Sequence, residues 1–189
     1  EVRSLATAIG MTGGSVLLSD DITRLPDERI ELAAALLPPM QENVQVLDWL
    51  DVETPQKLRI DLKGPIGEWN VLAYFNWEDS PKETTLTSTD FRLPEGDYWV
   101  RSFWDQRVWR AAKGKAFFQE CLNSHCSLLL AVRPVRETHA EYLGSSLHIS
   151  QGLEVGGWEE GIHSLSIKLS PGRTTQANID LYLPKRLGE

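Results

Sequence analysis

The chain has 189 residues, 41% apolar and 24% charged, with 27 acidic against 19 basic side chains and a formal net charge of −8. That balance disfavours a nucleic-acid partner, whose backbone is gripped by Lys and Arg, and disfavours an anionic membrane surface. Two Cys cannot make a disulfide framework, no apolar run reaches the roughly 18 residues of a membrane span, and the first residues do not read as a secretory signal.

Residues 1–40 read as helix, strand, helix. Leu5, Ala8 and Ile9 share one helical face, and Gly10, Gly13 and Gly14 are expected to end that helix. Ser15-Val16-Leu17-Leu18-Ser19 is a short apolar run of the kind that forms a strand buried on both faces, and Asp20-Asp21 close it. Pro26, Asp27 and Glu28 mark a helix start; Ile30, Ala33, Ala34 and Leu37 give it an apolar stripe; Pro38-Pro39 stop it. A single strand of this type would leave both edges unpaired, so the segment reads as the end of a larger α/β unit, with decoration of the following domain as the alternative.

After residue 40 the apolar period becomes two. Strands are expected over residues 44–49, 57–62, 68–77, 84–87, 97–104, 116–121, 126–132, 146–149, 162–169 and 175–183. Lys63-Gly64-Pro65, Asp79-Ser80-Pro81, Pro94-Glu95-Gly96 and Ser170-Pro171-Gly172 supply turns between them. Many short strands at this spacing indicate an antiparallel sandwich.

Two regions carry a family resemblance. Residues 5–21 resemble the end of the catalytic barrel in α-galactosidase-like glycoside hydrolases, the melibiase clan of families 27 and 36. Phe75-Asn76-Trp77-Glu78-Asp79, Phe103-Trp104-Asp105, residues 125–134 and residues 146–152 resemble, in order, pieces of that family's C-terminal β-domain. The resemblance implies a mainly β fold: an antiparallel β-sandwich of Greek-key type over residues 41–189, preceded by a short α/β segment, residues 1–40, left from a (β/α)8 barrel. It also implies a parent enzyme that hydrolyses α-galactosides with retention, using two aspartates upstream of this chain and neither metal nor organic cofactor. Retention needs two carboxyls about 5–5.5 Å apart across the scissile bond. The family's Lys-x-Asp motif does not occur in these residues. The chain alone is therefore expected to be a non-catalytic accessory region without turnover. Its carbohydrate partner would be met through the parent enzyme, and residues 1–40 could drive self-association. The alternatives are a free-standing carbohydrate-binding module and a structural interaction domain.

Four residues stand out as candidates. Asp20 and Asp21 follow the expected barrel strand, where such barrels place their active sites, although a strand-end turn and helix start is the preferred reading. Trp104 and Trp109 flank the turn Asp105-Gln106-Arg107, so they could form a sugar-stacking platform or an interface. Trp69 and Trp99, inside apolar strands, read as core, and Trp49, Trp77 and Trp158 admit either a sugar platform or burial. His125, His139, His148 and His163 lack metal-ligand spacing, and His125 reads as a hydrogen-bonded core or edge residue. Cys121 and Cys126 could face each other across a hairpin, but two buried thiols are the preferred reading, which leaves the compartment open between cytoplasm and export. Gly10, Gly13 and Gly14 precede a strand, whereas a phosphate loop follows one.

Overall fold

The computed structural model describes residues 1–17, 19–170 and 172–185. Two helices come first, α1 (Val2–Thr12) and α2 (Asp27–Ala34). Twelve strands follow among the described residues: β1 (Gln45–Val46), β2 (Lys57–Gly64), β3 (Gly67–Phe75), β4 (Lys82–Leu86), β5 (Tyr98–Ser102), β6 (Val108–Ala111), β7 (Phe118–Leu122), β8 (Ser127–Pro134), β9 (Glu141–Ser145), β10 (Val155–Glu160), β11 (Leu165–Leu169) and β12 (Ile179–Tyr182). Every pairing is antiparallel, and the fold is mainly β, a sandwich preceded by a short helical segment.

The main sheet runs β1-β2-β3-β8-β5-β6, with β8 inserted between strands that precede it in sequence. Its alternation assigns each face. Leu58, Ile60, Leu62, Trp69, Val71, Ala73, Phe75 and Leu129 pack with Ala6, Met11, Leu36, Met40 and Ile149 of the helical side. Leu72, Tyr74, Val100, Leu128, Leu130 and Val132 point the other way, onto Leu86, Phe91, Phe117, Phe118 and Leu122 around the β4–β7 pair. Both faces of β3 and β8 are thus covered, which is why these strands read as nearly continuous apolar runs.

The helical side departs from expectation at three places. Residues 15–17 and 19 pair with no strand and Leu17 is 86% exposed; Leu18 lies outside the described residues. Among the described residues no strand pairs with this stretch to satisfy an extended backbone. Gly10 continues α1 rather than ending it, and Gly13, at φ 62°, is the left-handed terminator. A Cβ on Gly10 would stand 2.1 Å from Ile149 Cδ1, so the glycine lets the helix lie against the 146–152 segment. Third, the stripe on α2 is only half used: Ala33 is buried, while Ile30 and Leu37 are exposed.

Most expected strands are present. Residues 146–149 are not a strand; the strand lies just before, at β9. Of the expected turn Ser170-Pro171-Gly172, Pro171 lies outside the described residues. β6, β9 and β10 were not anticipated. β6 has four residues, β9 is buried throughout instead of alternating, and β10 carries Gly156-Gly157, which argue against a strand.

Candidate functional site

A groove of about 920 Å³ lies between the helices and the 173–178 segment and is lined by Arg3, Glu28, Arg29, Phe103, Trp104 and Arg173 among others. Trp104 is half-buried in its wall. Its indole N–H donates to Thr7 Oγ1 at 2.9 Å, its ring meets Phe103 edge-on at 4.9 Å, and the Arg3 guanidinium sits 5.7 Å from its centroid. Thr7 also receives Ser127 Oγ at 3.2 Å, and Ser4 Oγ donates to the His125 carbonyl at 2.7 Å. α1 is therefore fastened to the start of β8 and to the tip of β5. Arg173 closes the groove by donating to the carbonyls of Ala34 (2.8 Å) and Leu147 (2.9 Å).

Trp109 lies elsewhere. It projects to the opposite face of the sheet, packs beside the second core and donates to the Phe117 carbonyl at 2.9 Å. The structure does not bring Trp104 and Trp109 into one platform. They lie on a β-hairpin whose turn, with Gln106 at φ 51°, sends them to opposite faces. Asp20 and Asp21 are both exposed. The Asp21 carboxylate caps the short turn Ile22–Arg24, accepting from Thr23 N (3.1 Å) and Thr23 Oγ1 (2.6 Å). Its observed bonds are those of a helix cap.

The remaining tryptophans separate cleanly. Trp69, Trp77 and Trp99 donate to the Ser150 carbonyl, the Pro55 carbonyl and Glu141 Oε1 respectively; Trp77 stacks on Phe75 at 4.6 Å. Trp158 is half-buried, edge-on to Tyr142. Trp49 differs: it is 65% exposed, beside Leu50 at 92%. Its loop is tied to the start of β2 by Asp48, whose carboxylate accepts from Gln56 N and Lys57 N. Its chain neighbours Asp48 and Asp51 line a shallow groove of about 460 Å³ together with Lys57, Thr87, Thr89, Asp90 and Arg92. Burial pushes the Asp90 carboxyl upward, but bonds from Lys57 and Thr87 outweigh it and hold the group below the usual carboxylate range. Sequence reading did not single out Trp49. The signal was present: an aromatic and a leucine sit between Asp48 and Asp51, where alternation fails.

The histidines and cysteines hold no metal arrangement among the described residues. His125 is half-buried and bonded to Asp79 at 2.8 Å. Both cysteines are free, and Cys121 is exposed rather than buried, because it lies on the outward face of β7. No described helix is long and apolar enough to cross a membrane.

A buried polar cluster underlies the helical side. Glu154 accepts from Tyr142 Oη (2.7 Å), Ser145 Oγ and Ser150 Oγ (3.5 Å). His148 Nε2 donates to the Pro38 carbonyl at 2.8 Å, and its Nδ1 accepts from Ser150 N at 3.2 Å. Burial pushes the His148 pKa down and the Tyr142 and Glu141 pKa values up.

No family model and no curated protein matches the sequence. Solved structures do. A provisionally named α-N-acetylgalactosaminidase from Bacillus halodurans C-125 aligns at TM-score 0.58 with 14% identity, over 70% of this chain and 30% of its own. α-Galactosidase I from Mortierella vinacea aligns at 0.55 with 17% identity, over 70% and 35%. A GH27 β-L-arabinopyranosidase from Geobacillus stearothermophilus aligns at 0.54 with 14% identity, over 70% and 30%. The chain thus has a GH27-like fold and spans about a third of the length of the structures it matches.

Proposed function

We propose that the chain is the non-catalytic C-terminal region of an α-galactosidase-like glycoside hydrolase, and that residues 1–40 are the end of its barrel. The observation that carries this is the distribution of exposed apolar side chains. Val2, Leu5, Leu17, Ile22, Ile30 and Leu37 are all exposed within the first 40 residues. On α1, Val2 and Leu5 are exposed one turn apart, whereas Ile9 packs on the core. Such a face is suited to a further packed layer. On this reading the two catalytic aspartates belong to other strands of the parent enzyme, and Asp20 and Asp21 are rim residues of its barrel. The sandwich supports the last barrel helices through the Trp104–Thr7 and His148–Pro38 bonds. Hydrolysis of an aryl α-galactoside by this chain, against a heat-inactivated control, tests the assignment. No turnover is expected; turnover above the control overturns it.

The exposure of Trp49 favours a second reading, carbohydrate contact by the domain itself. An exposed indole in the loop between Asp48 and Asp51, two residues that line a polar groove with Lys57, Thr89 and Asp90, offers an apolar face and, close by in the chain, donors and acceptors, the combination that a pyranose face and its hydroxyls demand. Titration with methyl α-D-galactopyranoside, followed by the indole N–H resonances, should perturb Trp49 selectively and saturably. A linear response shared by all tryptophans removes this reading.

A further inference from the structure

The β10–β11 hairpin stands apart from both cores. Among the described residues its strands pair only with each other, and its half-buried apolar side chains belong to neither core. Trp158 and Glu160 are two apart on β10, paired with Ile167 and Leu165, so they project from the same side of the ribbon. That side faces the body of the domain: Trp158 meets Tyr142 edge-on at 6.3 Å, and Glu160 Oε2 lies 3.4 Å from His139 Nδ1. Between the ribbon, the β8–β9 connection and the β2–β3 turn is a groove of about 320 Å³, bordered by Ile66, Glu68, Arg136, Tyr142, Trp158 and Glu160 among others. It shares no lining residue with the groove near Trp49.

Hydrogen-bonding groups that the fold leaves unspent gather in this groove. Trp69, Trp77, Trp99, Trp104 and Trp109 each give their indole N–H to an acceptor. Trp158 gives its own to none among the described residues. The Arg136 guanidinium likewise makes no hydrogen bond or ion pair among them. It lies over Gly67, where a Cβ would stand 3.6 Å from Arg136 Nη1 and where the backbone takes φ 95°. The acceptors are carboxylates. Glu68 receives Lys63 at 3.0 Å through one oxygen, out of about four acceptor sites that a carboxylate offers.

Charge does not favour an ion here. Lys63 meets Glu68, His139 meets Glu160, and buried Arg133, which also borders the groove, is faced by Glu141 and Glu154. A carboxylate or phosphate brings acceptors alone and would confront Glu68 and Glu160 with like charge. An amine brings donors alone and would confront Arg136. A hydroxyl serves both sets, accepting from the guanidinium or the indole N–H and donating onward to a carboxylate. The C–H face of a sugar ring matches the apolar walls of Trp158 and Ile66. We propose that this groove binds one neutral pyranose unit, at a site separate from the Trp49 loop and whether or not the chain is an accessory region. Its volume stands at the lower end of the range for small-ligand pockets, about 300–1,000 Å³, which suits a single ring rather than a longer saccharide.

The test follows the indole N–H resonances of the chain during titration with methyl α-D-glucopyranoside, methyl α-D-mannopyranoside and methyl β-D-galactopyranoside. Saturable displacement of the Trp158 resonance by at least one of them is expected, and it should persist in Trp49→Ala. Arg136→Ala removes an exposed side chain that holds no hydrogen bond of the fold, and should weaken the midpoint about tenfold. A Trp158 resonance that none of the three displaces saturably, a displacement lost in Trp49→Ala, or an undiminished midpoint in Arg136→Ala each overturns the proposal. Equal displacement by sodium acetate at matched ionic strength overturns it too, because the site would then be one for anions.

Discussion

His148 donates to the Pro38 carbonyl from a buried ring, and burial holds its pKa below the ordinary histidine value. Arg173 acts in the same direction; Glu154 and Glu42 oppose it. In the unfolded chain the ring titrates near 6.5. As pH falls through that value the unfolded state takes the proton first, so stability is lost downward from about pH 6.5 to the lower folded pKa. Glu141 carries the opposite sign, since its raised pKa lets the folded state bind a proton first as pH falls towards the carboxylate range. Urea midpoints at pH 7 and pH 5 should therefore differ less in His148→Gln than in the unaltered chain. An unchanged pH dependence in the variant would remove His148 as the cause. The two candidate tryptophans teach a related lesson. Their flanking of a turn was legible, but in a two-stranded hairpin the face each ring takes is fixed by register, which composition does not encode.

At the scale of elements, the strands that could be read were those with a clean period or a long apolar run, such as β2, β3 and β8. β9 escaped because Glu141-Tyr142-Leu143-Gly144-Ser145 is buried on both sides by polar partners, a pattern with no hydrophobic period. The expected strand at residues 15–19 reflects its own composition alone; a parallel-type strand exists only where neighbours pair with it. α1 shows how a glycine can report packing rather than a break. Gly10→Val would press two methyl groups into Ile149 and Leu36, whose nearest atoms lie 2.1 Å and 3.2 Å from the added Cβ. The expected loss is about 1–3 kcal/mol, read as a lower urea midpoint at unchanged slope. An unchanged midpoint would mean that α1 does not pack on the 146–152 segment as described.

The molecule as a whole presents two unlike surfaces. The β4–β7 side is closed by its own core, whereas the helical side leaves Leu5 61% exposed next to Val2, with Ile30 exposed on α2. If that face belongs against a barrel, the isolated chain should self-associate in proportion to its concentration. Sedimentation velocity should show this, and Leu5→Ser with Ile30→Ser should return it to monomer. A monomer throughout, with no effect of the double substitution, would count against a buried partner on that face. The net charge of −8 works against association at low salt, so the measurement belongs at moderate ionic strength.

The bonds that fasten the first 40 residues to the sandwich also set a timetable. Ser4 reaches His125, Trp104 reaches Thr7, His148 reaches Pro38, and Arg173 reaches Ala34, across sequence separations of 121, 97, 110 and 139 residues. Helices of 11 and 8 residues are too short to persist on their own. Since the ribosome adds about 5–20 residues per second, α1 and α2 wait roughly 5–30 s for the side chains that hold them. During that interval Ala6, Ile9 and Met11 lack the core they pack against. On the nascent chain this segment thus precedes its clasp, a sequence of events that favours capture by a chaperone over spontaneous docking.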